Sequence, residues 1–268
     1  MSQPLAQLKI LDFSTLLPGP YATMLMADMG AEVLRVEAIG RDDLVKSLQP
    51  QDNGDSYASL TLNRNKSAIG LDLKQAAAVE IVKKLVLEYD VIIEQFRPGV
   101  MAKLGLDYQT LKVINPKLIY CSITGFGQNG CYKNSAGHDI NYLALSGLAS
   151  FSGTEKTGPV LSGTQIADIA GGSHHAVMGI LAAVIERGLS GKGQHLDISM
   201  TDAAFALNGI FGAGAVGADI DPKLGRTLLN GGCFYGYYKT QDERYLSVGS
   251  LEPRFAKVFF ENIGLIEW

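Results

Sequence analysis

The chain has 268 residues and a formal net charge of −4, enough for one large domain or one and a half ordinary ones. With 47% apolar and 19% charged residues, it is too apolar for a disordered chain and has no basic footprint for nucleic acid. Three cysteines without a C-x-x-C spacing argue against a disulfide framework or a cysteine zinc site. No basic leader precedes an apolar stretch, and no stretch reaches the roughly 20 apolar residues of a membrane span. We therefore expect an intracellular protein with no nucleic-acid or membrane partner.

The first half of the chain alternates predicted strands and helices. A strand, a helix and a second strand within about 30 residues form a βαβ unit, which implies parallel pairing. The pattern then recurs, so residues 1 to about 130 are predicted to form a Rossmann-like, doubly wound α/β domain. The predicted strands are 8–13, 32–37, 67–73, 91–96 and 118–123, and the predicted helices are 21–29, 75–88, 100–104 and 108–114.

The second half is predicted to contain further helices, one more strand and then a segment with a different residue pattern. The predicted helices are 141–148, 169–187, 200–217 and 254–263, the strand is 195–199, and residues 233–250 form a hairpin. We expect a large Rossmann-like domain over 1–224 and the start of a smaller α+β domain over 225–268. That second domain is too small for its own core, so it packs on the first domain or a partner, or the chain is truncated.

The common nucleotide and hydrolase motifs are absent from this sequence. G-x-G-x-x-G does not follow the first strand, where Leu-Leu-Pro-Gly-Pro stands instead. A P-loop and the G-x-S-x-G nucleophile elbow are also missing. No metal, flavin or pyridoxal motif is present either, so no metal ligand is predicted.

Four titratable residues are candidates for chemistry. His138 and Asp139 lie in a predicted loop, while Asp168 and Glu252 each precede a predicted helix. Helix capping is the ordinary role of such acids, and a structural role is the ordinary one for a single histidine. A histidine and a carboxylate facing one carbon could instead move a proton between its two faces. Backbone N–H groups of residues 168–172 could stabilise an enolate oxygen.

Seven ordered stretches carry a resemblance that runs over essentially the whole chain. They are LDFSTLLPGPYATMLMADMGAEVLRVE, LNRNKSAIGLDLK, VIIEQFRPGVMAKLGLDY, NPKLIYCSITGFGQNG, AGHDINYLALSG, GKGQHLDISMTDAA and SVGSLEPRF. On these stretches the chain resembles the family III CoA-transferases (the CaiB/BaiF family), a group that also contains α-methylacyl-CoA racemase.

The resemblance implies a choice between two branches of that family. In the transferases the aspartate at the position of Asp168 attacks an acyl-CoA thioester, whereas in the racemases it is one of two acid/base groups. The racemase branch adds a histidine in AGHDINY and a glutamate in the S-L-E-P stretch, here His138 and Glu252. By resemblance, Asp168 and His138 would exchange the α-proton of a 2-methylacyl-CoA through an enolate. Glu252 would hydrogen-bond His138, and Asp139 would be a neighbour of lesser role.

The resemblance also implies where the CoA portion of the substrate binds, with no cofactor beyond that portion. The family places CoA after the parallel strands, which agrees with the switch-point rule for open α/β sheets. The residues carried over are Leu17, Pro18, Arg41, Leu71, Asp72, Leu73, Lys74, Gln95, Phe96, Arg97, Lys103, Ala136 and Gly137, with Asp139 lining the thioester end.

Three hypotheses about the function follow. The leading one is an acyl-CoA racemase that acts on 2-methyl-branched thioesters in an interlocked homodimer, where Glu252 serves the partner's His138. The first alternative is a CoA-transferase that forms an anhydride on Asp168, and the second is a truncated, non-catalytic CoA-binding paralogue. The family's chains continue past the position of Trp268, which favours truncation. The expected compartment is a bacterial cytoplasm, or a peroxisome or mitochondrion if the source is eukaryotic.

Overall fold

The structure is a computed structural model that describes residues 3–221, 223–231 and 234–265. The described chain divides into two compact units. Unit 1 comprises the residues up to Tyr142 together with Thr164–Ala204, and unit 2 comprises Leu143–Gly163 together with the residues from Phe205 onward. The division expected after residue 224 concerns the domains of the family and stays a prediction.

A six-stranded, fully parallel sheet forms the centre of unit 1. The spatial order is β6-β5-β4-β1-β2-β3, the 3-2-1-4-5-6 order of a Rossmann-type sheet. The mixed α/β architecture with parallel strands is therefore confirmed. The strands are β1 Lys9–Asp12, β2 Glu32–Ala38, β3 Ser67–Leu71, β4 Val91–Glu94, β5 Ile119–Thr124 and β6 His195–Ser199.

The inner strands are continuous apolar runs because both faces of the sheet are covered. All six residues of β5 and all four of β4 are buried, as expected for a parallel sheet between two helix layers. On one face, a core cluster joins Leu11 and Ile92 to Val82 of α3 and Leu111 of α5. On the other face, α1 and α7 contact β1, β5 and β6.

Ten α-helices are described in the two units. In unit 1 they include two short ones over 100–103 and 108–114, close to their predicted bounds. The helices are α1 Pro18–Asp28, α2 Tyr57–Leu62, α3 Ala76–Leu85, α4 Val100–Lys103, α5 Tyr108–Ile114, α6 Asp139–Leu145, α7 His175–Ser190, α8 Met200–Ala206, α9 Phe211–Ala218 and α10 Pro253–Asn262.

The helix predicted over 200–217 is in fact two helices. Asn208 and Gly209 stand between α8 and α9, and both are poor helix formers. The Asn208 side chain is buried and donates to the Ser146 carbonyl at 3.0 Å. A side chain committed to a distant backbone acceptor anchors the break in the helix. The prediction of one helix was therefore wrong at this point.

A second correction concerns the long helix predicted from residue 169. A π-helical segment, Ala167–His174, precedes α7, so the helical stretch begins two residues earlier. Together Ala167–Ser190 is long and apolar enough to cross a membrane by length and composition alone. Core helices of soluble proteins pass the same test, and here α7 packs against β5 and β6.

Unit 2 contains a hairpin and two of the helices but few buried apolar residues. The hairpin pairs β7 Tyr235–Lys239 with β8 Tyr245–Gly249 in antiparallel register, as predicted within 233–250. Cys233, in that predicted range, lies outside the described residues. Elsewhere in unit 2, the rings of Phe151 and Phe211 stack at 5.7 Å between centroids.

The remaining cysteines fit the expectation of reduced thiols. Cys121 is buried in β5 and Cys131 is exposed, and both are free. Burial raises the pKa of the Cys121 thiol, which makes it a poor nucleophile at neutral pH.

Candidate functional site

The turn between β1 and α1 lies at the carboxyl ends of the strands, where open α/β sheets bind ligands. A buried network holds this turn. Asp12, at the end of β1, accepts hydrogen bonds from the Ser14 backbone N–H at 2.9 Å and from the Thr23 hydroxyl. Lys66 donates to Thr23 Oγ1 at 2.7 Å and to the Pro20 carbonyl at 2.8 Å. Burial lowers the pKa of Lys66 to about 8.

The first turn of α1 is tied to the end of β4, the neighbouring strand. The Gly19 N–H donates to Gln95 Oε1 at 2.8 Å. A Cβ at position 19 would lie 2.6 Å from that oxygen and closer still to the Ser14 side chain. Glycine is therefore required where the two chain segments meet. The topological switch point between β1 and β4 is thus held by a direct contact.

The structure places the predicted CoA residues of unit 1 around these strand ends. Gln95 and Phe96 directly follow β4, and Leu17 precedes α1. Pro18 and Leu71 are buried, whereas Leu17, Asp72, Leu73, Gln95, Phe96 and Gly137 are partly buried and Arg41, Lys74, Arg97, Lys103 and Ala136 are exposed. CoA binding by these residues stays a prediction.

The four cations of this set form no ion pair in the described residues. Within the described part of the chain, Arg41, Lys74, Arg97 and Lys103 make no ion pair, although twelve ion pairs form elsewhere. Exposed cations without a carboxylate partner are available to a phosphate. Charge is therefore available at this edge of the sheet for an anionic ligand.

The loop that carries His138 is fixed by contacts to its own backbone. The His138 N–H donates to Asn141 Oδ1 at 3.0 Å, and the Tyr142 hydroxyl donates to the Gly137 carbonyl at 2.6 Å. A Cβ on Gly137 would come within 2.7 Å of the Tyr142 ring. The loop is consequently closed on one side by Tyr142, and the His138 side chain is left exposed.

Asp168 is brought to this loop by Asp139. The Asp168 backbone N–H donates to Asp139 Oδ1 at 3.0 Å, across 29 residues of sequence. His138 lies close enough that its charge lowers the pKa of Asp168. The Asp139–Asp168 hydrogen bond therefore places both acids beside the loop of His138 in unit 1, and their catalytic roles stay a prediction.

Burial makes the Asp168 carboxyl group less acidic than an exposed aspartate, because it raises the pKa of that group. The side chain is half-buried, and desolvation together with the charge of Asp139 raises its pKa to about 6, against the smaller opposing effect of His138. A carboxyl group that titrates near neutral pH can both accept and return a proton. Such perturbed groups in clefts are typical of functional sites.

The π-helical segment around Asp168 packs closely on the β1–α1 turn. The buried Ser173 hydroxyl donates to the Pro18 carbonyl at 2.6 Å. A Cβ on Gly172 would lie 3.1 Å from Pro18 and 3.2 Å from Met200, so a larger residue there would push the two segments apart. Single π-helical turns are frequent at functional sites, and this one fixes Asp168 beside the strand ends.

Two of the backbone N–H groups in residues 168–172, which the sequence suggested could stabilise an enolate oxygen, already donate hydrogen bonds. The Asp168 N–H is donated to Asp139, and the Ile169 N–H is donated to the Gln165 carbonyl at 3.0 Å. Residues 168–172 lie in a helical segment rather than in an open turn. These two of the five N–H groups in residues 168–172 are therefore not free to stabilise an oxyanion.

Glu252, the fourth predicted catalytic residue, lies in unit 2. It is the residue immediately before α10, where its side chain is exposed and makes no capping hydrogen bond. The ordinary role of an acid at this position, that of a side-chain helix cap, is thus not observed. Its hydrogen bond to His138 stays a prediction.

Three residues with a part in the site were not found from the sequence. Tyr142 and Ser173 hold the two segments described above, and Glu94 ends β4 beside Gln95. Glu94 could have been noticed as a lone acid that ends an apolar strand. The other two are ordinary polar residues in helices, and nothing in their spacing marks them.

In the part of the chain that the structure describes, no three His, Cys, Asp or Glu side chains are grouped so that they could hold a metal ion. Asp139 and Asp168 are near each other, but the observed link is from a carboxylate to a backbone N–H.

Comparison with known proteins identifies the family. The family model described as CoA-transferase family III matches residues 5–268. The α-methylacyl-CoA racemase of Mus musculus is 38% identical over 259 residues, covering 96% of this chain and 64% of that protein. The succinate–glutarate CoA-transferase of Agrobacterium fabrum is 41% identical over 212 residues, covering 76% of this chain and 52% of that protein.

A solved structure agrees with the sequence matches. A CaiB/BaiF family protein from Brucella suis superposes with a TM-score of 0.88 at 30% identity, covering 100% of this chain and 71% of that one. The chain thus spans just under two thirds of the length of its mouse racemase relative. The family model, the sequence relatives and the solved structure agree, and the chain belongs to the family III CoA-transferases.

Proposed function

We propose that the protein interconverts the 2R and 2S forms of a 2-methylacyl-CoA by exchange of the α-proton. The observation that carries the proposal is the hydrogen bond from the Asp168 N–H to the Asp139 carboxylate, next in sequence to His138, together with the pKa of Asp168 raised to about 6. An α-proton beside a thioester is weakly acidic, so its removal requires bases poised near neutral pH. A histidine and a carboxyl group with a pKa of about 6 meet that requirement.

The proposed reaction has two proton transfers. One of the pair removes the α-proton from one face of C2, and the electron pair moves to the thioester oxygen to form an enolate. The other returns a proton to the opposite face, which inverts the centre. Atoms balance without a redox partner, because one proton leaves and one is added. Because burial raises the pKa of Asp168 to about 6, a fraction of the carboxyl groups is protonated near neutral pH and can act as the acid.

The CoA portion is proposed to bind across the carboxyl ends of β1, β3 and β4. Exposed Arg97 and Lys103 would meet phosphate oxygens, and Lys74 and Arg41 would add positive charge. Ala136 and Gly137 would line the path of the pantetheine toward Asp168. The proposal is supported by these cations lacking ion-pair partners within the described residues and by the switch-point position of Gln95.

Glu252 and a second copy of the chain complete the proposal. We propose that Glu252 hydrogen-bonds His138 of a second copy, which would hold the imidazole in one tautomer. The family's interlocked homodimer is the assembly in which that contact would form. A cytoplasmic location is proposed alongside.

The proposal is tested by proton exchange in D₂O. A single enantiomer of a 2-methylacyl-CoA is incubated with the protein and followed by NMR. We expect deuterium to appear at C2 together with loss of chirality. His138→Ala and Asp168→Asn should each slow exchange by at least about 100-fold, the usual contribution of a general acid or base. His174→Ala, an exposed histidine elsewhere on the π-helical segment, is the matched control and should exchange normally.

The same experiment separates the alternatives. The 41% identity to a succinate–glutarate CoA-transferase makes acyl transfer the second candidate. It predicts no exchange at C2, a covalent acyl or CoA adduct on the Asp168 peptide in mass spectra, and normal turnover in His138→Ala. CoA binding with neither exchange nor adduct would leave only a non-catalytic CoA-binding protein. Each of these outcomes overturns the racemase proposal.

A further inference from the structure

A buried glutamate lies beneath the proposed CoA-binding loop without a part in proton exchange. Glu94 is the last residue of β4 and is 3% exposed. Its Oε2 accepts the Phe96 backbone N–H at 2.8 Å. Because Gln95, between them, receives the Gly19 N–H at 2.8 Å, the loop is tied on one side to the strand and on the other to α1. Glu94 is thus the anchor of this loop on the sheet.

The anchor continues across two neighbouring strands. Glu94 is paired in register with Ser122 of β5, so both side chains point to the same face of the sheet. Ser122 Oγ lies 3.0 Å from Nε2 of His195 on β6, and the Ser122 hydroxyl favours the ionised form of Glu94 and so lowers its pKa. The His195 ring is held between Tyr108 and Tyr120, with centroids at 5.5 and 5.3 Å. Ser122 therefore stands between the Glu94 carboxylate and His195.

A carboxylate is a costly choice at this position. No cation within the described residues lies at ion-pair distance from Glu94, whereas buried acids ordinarily have one. Burial raises the pKa of Glu94 to about 7. A glutamine would fill the same space at lower cost, so stability alone does not account for the glutamate. A carboxylate does offer the stronger, charge-assisted bond to the Phe96 N–H.

We propose that Glu94 is a positioning residue of the acyl-CoA site, which holds the loop of residues 95–97 through the Phe96 N–H and is itself set by Ser122 and His195. This inference rests on the proposed function, in which that loop binds CoA. Glu94 does not touch the substrate and takes no part in the proton transfers. Its effect reaches the site through the backbone.

In this proposal, Glu94, Ser122 and His195 exchange hydrogen bonds whose direction depends on the protonation of Glu94. With the carboxylate ionised, His195 Nε2–H donates to Ser122, and Ser122 donates to Glu94. With Glu94 protonated, its O–H donates to Ser122, and Ser122 donates to an unprotonated Nε2. In that state Phe96 bonds a neutral oxygen, which is a weaker acceptor. The loop is consequently held less firmly at low pH.

Other titratable groups also face Glu94 and set the pH at which this occurs. The charge of Asp197 raises the pKa of Glu94, and the charge of Glu94 in turn raises that of Tyr120 and Cys121. None of these neighbours is a permanent cation. The groups on the elements packed against Glu94 are Tyr120, Cys121 and Ser122 of β5, His195 and Asp197 of β6, and Asp107 and Tyr108 at the start of α5.

The test compares two substitutions of Glu94 in the full chain. Glu94→Gln keeps an oxygen for the Phe96 N–H and a donor for Ser122, so it imitates the protonated state. Glu94→Leu removes both. The dissociation constant of free CoA is measured by calorimetry at pH 8 and pH 6. Glu88→Gln, an exposed glutamate near the end of α3, is the matched control.

We expect Glu94→Leu to weaken CoA binding at pH 8 by about tenfold and Glu94→Gln by about threefold, the loss of one charge-assisted bond in whole or in part. The extra weakening of the wild-type protein at pH 6, relative to pH 8, should vanish in Glu94→Gln. Protonation of CoA itself between pH 8 and pH 6 affects binding to both proteins equally, so it cancels in the comparison. In turnover, KM should rise in both variants while kcat stays within about twofold.

Several results would overturn the inference. Unchanged CoA binding in both variants, or a fall in kcat at constant KM, would do so. If circular dichroism shows that Glu94→Leu does not fold, the pH dependence of CoA binding by Glu94→Gln is sufficient to test the inference. If the wild-type protein itself does not bind CoA, the proposed CoA site fails, and with it the role of the loop. The two failures are therefore distinguishable.

Discussion

The two units of this chain bury their apolar residues very differently. In unit 1, every residue of β5 is buried, whereas in the unit 2 hairpin only Val248 of the ten strand residues is. Tyr237 is 81% exposed and Tyr245 is 70% exposed. A parallel sheet between helix layers excludes water on both faces, but a single hairpin does not. Unit 1 thus carries its own core, while unit 2 presents apolar surface of the kind that protein contacts cover.

The largest effect is expected from the core of unit 1. Leu11→Ala in β1, where the side chain is fully buried, should lower the free energy of unfolding by about 3 kcal/mol through lost packing and a cavity. Leu246→Ala in β8, where the side chain is 54% exposed, should lower it by less than about 1 kcal/mol. Urea denaturation of both variants makes the measurement. Equal losses would break the contrast between the two units.

Within unit 1, a substitution in the site should raise the free energy of unfolding, whereas a substitution in the core lowers it. A raised pKa means that protonated Asp168 favours the folded state, an advantage present below pH 4 and lost as pH rises through about 6. Asp168→Asn should therefore add about 1 to 2 kcal/mol to the free energy of unfolding at pH 7.5, after discounting for partial exposure. The gain should disappear near pH 4, which unfolding curves at the two pH values would show.

A control separates this effect from a general loss of negative charge. Asp52→Asn replaces an exposed aspartate of the same unit and should change stability by less than about 0.5 kcal/mol at either pH. Destabilisation by Asp168→Asn at pH 7.5 would contradict the raised pKa. It would mean instead that the charge is favourable in the folded state.

The smallest effect sharpens the comparison between units. Gly188 in α7 and Gly217 in α9 are helical and exposed, and a Cβ at either would meet nothing within 4 Å. Each change to alanine should stabilise its helix by about 0.5 to 1 kcal/mol. Because unit 2 has little core, Gly217→Ala should move only an early transition in calorimetry, and Gly188→Ala the main one. A single transition shifted equally by both would contradict independent unfolding.

Much of unit 1 was predictable from local pattern. The bounds of β1 through β6 lie within two residues of their predicted ends, because apolar runs of strand length punctuated by glycine and proline leave few alternatives. The short helix α2 was missed, since six residues offer too little periodicity. Its placement depends on the cluster of Met24, Val45 and Leu62, which are far apart in sequence.

The helix break at Asn208 illustrates a different limit. Composition favoured one helix over 200–217, but the cost of burying an amide is met only by a distant carbonyl, that of Ser146. Likewise, the sequence suggested free N–H groups after Asp168, whereas Asp139 and a helical turn already use them. Both errors arise because hydrogen-bond partners far apart in sequence are invisible to local reasoning.

The sequence by itself determined the α/β class, the parallel sheet, the family and the identity of His138, Asp139 and Asp168 as candidates. Periodicity and residue type carry that information locally. Only the tertiary structure decided that Asp139 holds Asp168, that burial raises the pKa of Asp168 to about 6, and that Glu94 supports the loop at the switch point. Desolvation and charge proximity depend on which segments pack together, and packing is a property of the whole fold.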